Sequence, residues 1–86
     1  MNSEQLEKKL DIDDVGQKRY VMNQLLDELI KQAYDRKDEE VPDDEKKISK
    51  LEDVDGYAYK LSQEFLMSSS TLEKERKLEK LVEHLS

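Results

Sequence analysis

The fold depends on residues 22–34, which read MNQLLDELIKQAY. Their apolar side chains recur at intervals of three and four residues, the spacing of one face of an α-helix. Polar and charged residues fill the positions between, so the stripe is one-sided and needs a partner surface to exclude water. The stripe consists of Met22, Leu25, Leu26, Leu29, Ile30 and Ala33. We therefore expect the other helices to cover it.

The composition is that of a small, acidic, helical protein. The chain has 86 residues, of which 35 % are hydrophobic and 43 % are charged, and no cysteine. This length predicts one domain, residues 1–86, with a modest core. The lack of cysteine excludes disulfides and thiolate chemistry and favours a reducing, cytoplasmic setting. No apolar run approaches the length of a membrane span, and the start, MNSEQ, is not that of a secretory signal.

Helix signals divide the chain into four segments. A short N-terminal helix would be anchored by Leu6 and Leu10 and capped by Asn2 or Ser3. Pro42, the only proline, marks a boundary, and Gly56 is a possible break. The patterns predict an all-α fold, a small helical bundle of three principal helices at about 14–37, 43–67 and 71–85.

The residue types at the helix starts predict the caps, and the apolar periodicity predicts the core. Asp13 is the expected cap of the second helix, and Ser70 with Glu73 is the expected capping box of the last. Val15 and Leu72 extend the stripes of these two helices towards their starts. The tyrosines are expected at the edge of the core. The predicted common core consists of Leu25, Leu26, Leu29, Leu51, Leu61, Phe65, Leu78, Leu81 and Val82.

No pattern indicates catalysis, a cofactor or a metal. The only histidine, His84, is two residues from the end of the sequence, where we expect a solvated side chain. Asp53-Val54-Asp55-Gly56 matches part of a calcium-binding EF-hand, but Leu51 and Ser62 occupy the positions where that loop needs its first ligand and its closing glutamate. We therefore expect a non-enzymatic protein without a calcium site.

The net charge of −7 argues against direct nucleic-acid binding, because lysine and arginine must neutralise phosphates. We instead expect a protein–protein interaction module, such as a regulator, inhibitor or adaptor. At 100° per residue, Tyr59 and Leu66 lie about 110° from the centre of the apolar seam of the third helix. The predicted partner-binding surface is therefore Tyr59, Gln63, Leu66 and Met67. A self-assembling protein or homodimer, and an acidic mimic of nucleic acid, are the alternatives.

Overall fold

The computed structural model describes residues 1–37 and 48–86, and all regular secondary structure in these ranges is helical. The five helices are α1 (Ser3–Lys9), α2 (Val15–Arg36), α3 (Ile48–Val54), α4 (Gly56–Met67) and α5 (Thr71–Leu85). The predicted all-α class is therefore confirmed. None of these helices is both long enough and apolar enough to cross a membrane.

Side-chain caps fix where four of the described helices begin, and three of these are α1, α2 and α5. The Asn2 amide oxygen accepts from the Gln5 N–H at 2.9 Å, and the Gln5 side chain accepts from the Asn2 N–H at 3.0 Å, which completes a capping box. The cap of α2 is Asp14, at 2.8 Å from the Gln17 nitrogen, so the prediction of Asp13 was wrong by one residue. Ser70 caps α5 as predicted, and its hydroxyl accepts from the Glu73 N–H at 3.4 Å, but this is only one half of the predicted capping box, because the Glu73 carboxylate contacts Arg76 instead.

The predicted helix 43–67 is not continuous. Residues 43–47 lie outside the described ranges, and the described part is divided at Asp55 into α3 and α4. Asp55 has the extended backbone of a helix cap (φ −151°, ψ 93°), and its carboxylate accepts from the Ala58 N–H at 3.1 Å. Asp favours this cap position and Gly56 is a poor helix former, so the break is local in origin. The grouping into three principal helices is therefore not confirmed.

Contacts between the ends of the helices define their directions. Arg19, near the start of α2, bonds to Thr71 at the start of α5, and Arg36, at the end of α2, bonds to the backbone oxygen of His84. These two helices therefore run in the same direction. Glu64 pairs with Lys77 and Asp55 with His84, so α4 runs antiparallel to α5. Helix α3 packs on α4 and α2, and α1 packs on α5.

The nine predicted core residues are all buried, as is the whole α2 stripe from Met22 to Ala33. Leu6 and Leu10 join the same core and anchor α1. Tyr34 is fully buried rather than at the core edge, and this burial raises the pKa of its hydroxyl. Val15 and Leu72 are 56 % and 55 % exposed, contrary to the stripe pattern. Both lie in the first turn of a helix, where the periodicity continues but none of the other four described helices covers the side chain.

Candidate interaction surface

Exposed apolar side chains lie on both sides of the three-residue connection between α4 and α5. Leu66 and Met67, the last two residues of α4, are 50 % and 83 % exposed, and Leu72 of α5 is exposed as well. We call Leu66, Met67, Leu72 and residues 68–70 between the helices the α4–α5 corner. Elsewhere in the described ranges, Tyr57 is also exposed, as are Val15 and Tyr20, each of which directly follows a charged residue in the sequence.

Hydrogen bonds hold the corner in a defined shape. The Ser68 N–H donates to the Glu64 backbone oxygen at 3.1 Å, which closes the last turn of α4. From α2, the Arg19 guanidinium donates to the Ser69 backbone oxygen at 2.7 Å and to the Thr71 hydroxyl at 3.0 Å. The connection is therefore tied to a third helix, and the exposed apolar side chains stand on an ordered support.

The corner carries no charged residue. None of residues 65–72 is charged, and only Lys60 and Glu64 are charged among residues 56–70, in a chain that is 43 % charged. Glu64 is paired with Lys77 at 2.6 Å. The cores of protein–protein interfaces are likewise depleted of charge, with methionine enriched. The corner shares this lack of charge and has an exposed methionine, although its three serines are of a residue type that such interface cores deplete.

Lys74 is the nearest cation on α5, and it faces the protein rather than the corner. Its ammonium donates to the Phe65 backbone oxygen at 2.7 Å and lies 4.5 Å from the centre of the Phe65 ring. These contacts satisfy a carbonyl in the last turn of α4 and place the cation over an aromatic face. Burial and the neighbouring Arg19 charge lower the pKa of Lys74.

The predicted binding residues fall into two groups. Leu66 and Met67 are exposed in the corner, whereas Tyr59 and Gln63 are half-buried on α4, and Tyr59 packs against the core. Gln63 is three residues and Tyr59 seven residues before Leu66, so all three lie along one side of α4. We call Tyr59 and Gln63 the α4 flank. Leu72 was missed because it was assigned to the α5 core stripe, although the charge-free run that contains it is visible in the sequence.

A second cluster of polar groups joins the end of α5 to the start of α4. The His84 Nε2 atom lies 2.8 Å from the Asp55 Oδ2 atom, and the rings of His84 and Tyr57 are 4.7 Å apart between centres in an edge-to-face arrangement. Asp55 is 7 % exposed. His84 is therefore held by tertiary contacts, and the expectation of a solvated terminal histidine was wrong.

The electrostatics of Asp55 follow from these contacts. Burial by itself raises the pKa of this carboxyl group. The hydrogen bonds from the Ala58 N–H and from His84 lower the pKa, as do the nearby charges of His84 and Lys37. Together these contacts outweigh the effect of burial and hold the pKa of Asp55 below its usual value. Both carboxylate oxygens have partners within the fold, one in the α4 cap and one in the contact to α5. The cluster therefore connects two helix ends.

An open depression of about 710 Å³ lies beside α1, and α2 and α5 contribute to its wall. Both signs of charge line it, and its Lys18 and Glu75 are paired at 3.5 Å. The lining residues are Glu4, Glu7, Lys8, Leu10, Asp11, Lys18 and Glu75. In the described ranges, no group of three or more histidine, aspartate or glutamate side chains is arranged to hold a metal ion.

Comparison with protein-family models, with curated proteins and with solved structures finds no match for this chain.

Proposed function

We propose that this protein is a non-enzymatic protein–protein interaction module that binds through the α4–α5 corner and the adjoining α4 flank. The observation that supports this proposal is the absence of charge from residues 65–72, together with the exposure of Leu66, Met67 and Leu72. In a chain with this charge content, a cluster of exposed apolar side chains has a cost in solubility, and a binding partner that covers it explains its presence. The cysteine-free sequence supports a cytoplasmic setting.

The amount of apolar surface indicates how the corner would contribute to binding. Full burial of a leucine or methionine side chain is favourable by about 1.5–3 kcal/mol, and these side chains are already partly covered. The corner therefore supplies a few kcal/mol, and part of any affinity must come from polar contacts around it. Uncharged polar groups close to the exposed apolar side chains in the sequence are the hydroxyls of residues 68–71 and, one turn before Leu66, Gln63.

The test is a double substitution, Leu66→Ser with Met67→Ser, in a tagged protein used to capture partners from its own cells. Capture of one stoichiometric partner by the parent protein, reduced at least tenfold by the double substitution, is the expected result. The control is Asn23→Ser, an exposed polar position in the middle of α2. Because Leu66 and Met67 are exposed, the melting temperatures of all three proteins should agree within a few degrees.

A second variant, Tyr59→Ser with Leu66→Ser, tests how far the α4 flank contributes to the stability of the core. Tyr59 is half-buried against the core, so this variant should melt lower than the first one. Unchanged partner capture by Leu66→Ser with Met67→Ser, in a protein that melts normally, would contradict the assignment of the corner as the binding surface.

A further inference from the structure

We propose that Met67 is a site of reversible oxidation, at which a hydroperoxide converts the thioether to a sulfoxide while the helices stay folded. The sequence directs such an oxidant to methionine, because the chain has no cysteine thiol that could react first. The only sulfur atoms of the chain belong to Met1, Met22 and Met67. The structure separates these three side chains by burial and so assigns the reaction to one of them.

Met67 is the accessible methionine. As the last residue of α4 it is 83 % exposed, whereas Met22 on the buried face of α2 is 0 % exposed. Met1 is partly buried and packs against the core. An oxidant has to reach the sulfur atom, and the close packing of a protein interior keeps it away from a buried one. Met67 should therefore be oxidised first.

The reaction needs no catalytic group from the protein. A lone pair of the sulfur atom attacks one oxygen of the hydroperoxide, the O–O bond breaks, and an S–O bond forms. The proton on the transferred oxygen moves to the leaving oxygen, which departs as water or an alcohol. The sulfur atom loses two electrons and the peroxide gains them. Methionine sulfoxide reductases, one for each epimer of the sulfoxide, restore the thioether.

The local structure tolerates a sulfoxide at Met67. The contacts that close this end of α4 do not involve its side chain: the Ser68 N–H donates to the Glu64 backbone oxygen at 3.1 Å, and the Lys74 ammonium donates to the Phe65 backbone oxygen at 2.7 Å. Because most of the Met67 side chain faces water, the new polar oxygen stays hydrated. The same oxygen on the buried methionine of α2 would lie in the apolar core and destabilise the fold.

A time course with hydrogen peroxide on the whole folded chain, followed by peptide mass mapping, tests the assignment. Met67 should gain one oxygen at least about tenfold faster than Met22, and also faster than Met1. The matched control is the same chain unfolded in urea, where the three methionines should react at similar rates because the fold no longer protects any of them. Met67→Leu should lack the fast reaction in the folded state.

Two measurements on the singly oxidised protein complete the test. Its melting temperature should agree with that of the unoxidised protein within a few degrees, since the change is at an exposed side chain. The two reductases together should restore the thioether in the folded chain. Oxidation of Met1 or Met22 as fast as Met67, a large drop in melting temperature, or a sulfoxide that the reductases leave unchanged would each overturn the proposal.

The consequence for binding rests on the proposed function. Met67 belongs to the α4–α5 corner, so oxidation places a polar group on that surface. Partner capture should fall at least about tenfold after oxidation and recover after reduction. For Met67→Leu, the ratio of capture after peroxide to capture before it should stay near one. Unchanged capture by the oxidised parent protein would overturn this consequence. A parent protein that captures no partner would refute the proposed function, and the mass mapping would still decide the assignment of Met67 as the oxidation site.

Discussion

Replacing Asp55 should destabilise the protein by several kcal/mol, because this one side chain makes two contacts that stabilise the fold. Asp55→Ala removes the cap of α4 and also removes the partner of His84. Loss of an N-cap costs about 1 kcal/mol, and a hydrogen bond to a charged group contributes about 1.5–3 kcal/mol. Because Asp55 is only 7 % exposed, water does not replace these contacts. We expect a total loss of about 2.5–4 kcal/mol.

Thermal and urea unfolding followed by circular dichroism measure this loss. For a domain of this size, 1 kcal/mol corresponds to about 4–8 °C in Tm, so Asp55→Ala should lower Tm by at least about 10 °C. Asp55→Asn should lose less, about 1 kcal/mol, because Asn caps a helix as well as Asp does but lacks the charge. The two variants thus separate the cap from the ion pair.

A double-mutant cycle with His84→Ala isolates the contact between α4 and α5. The coupling energy between Asp55 and His84 should be at least 0.5 kcal/mol, about the lower limit for residues in direct contact. A coupling energy near zero, with both single variants folded, would refute the inference that this pair joins the two helix ends. The cap would then account for the whole effect of Asp55→Ala.

The lowered pKa of Asp55 gives the same contact a pH dependence. The folded-state pKa lies below the unfolded value of about 3.9, so the contribution to stability is fully present above that value and is lost as the pH falls through the folded pKa. The difference in unfolding free energy between the parent protein and Asp55→Asn should therefore shrink as the pH falls from about 5 to below about 4. If this difference in unfolding free energy grew as the pH fell, the lowered pKa of Asp55 would be contradicted.

Three further predictions follow from the core, the glycines and the net charge. Leu29→Asp should abolish helical circular dichroism, because Leu29 is 1 % exposed and a buried charge costs several kcal/mol of a stability of about 5–15 kcal/mol. Gly56→Ala should raise the free energy of unfolding in urea by about 0.4–1 kcal/mol, because the added Cβ atom meets open space. Gly16→Ala should raise it less, because the added Cβ atom would lie 3.3 Å from the Asp14 cap oxygen. The purified protein should show no hydrolase or transferase activity, and gel-shift assays at low salt should show no DNA complex; complexes that weaken steeply with rising salt would contradict this.

Much of the fold could be predicted because the spacing of apolar residues and the type of cap residue are local properties of a helical sequence. The stripe from Met22 to Ala33, the cap at Ser70 and the anchors Leu6 and Leu10 were all identified correctly from spacing alone. The contact between Asp55 and His84 could not be, because 29 residues separate them and no local signal links them. Tertiary packing decided which end residues are covered, and for that reason Val15 and Leu72 were misassigned.

Position along α4, rather than angular phase, separates the predicted binding residues that are half-buried from those that are exposed. The prediction placed all four by a single angular phase running through a helix 43–67, but the backbone leaves the helix at Asp55. Measured from the buried residues of α4 itself, Ala58, Leu61 and Phe65, both Tyr59 and Leu66 lie roughly 100–130° from the centre of the seam, so phase does not distinguish them. Tyr59, near the start of α4, packs against the core, whereas Leu66 and Met67, at the end of α4, remain exposed.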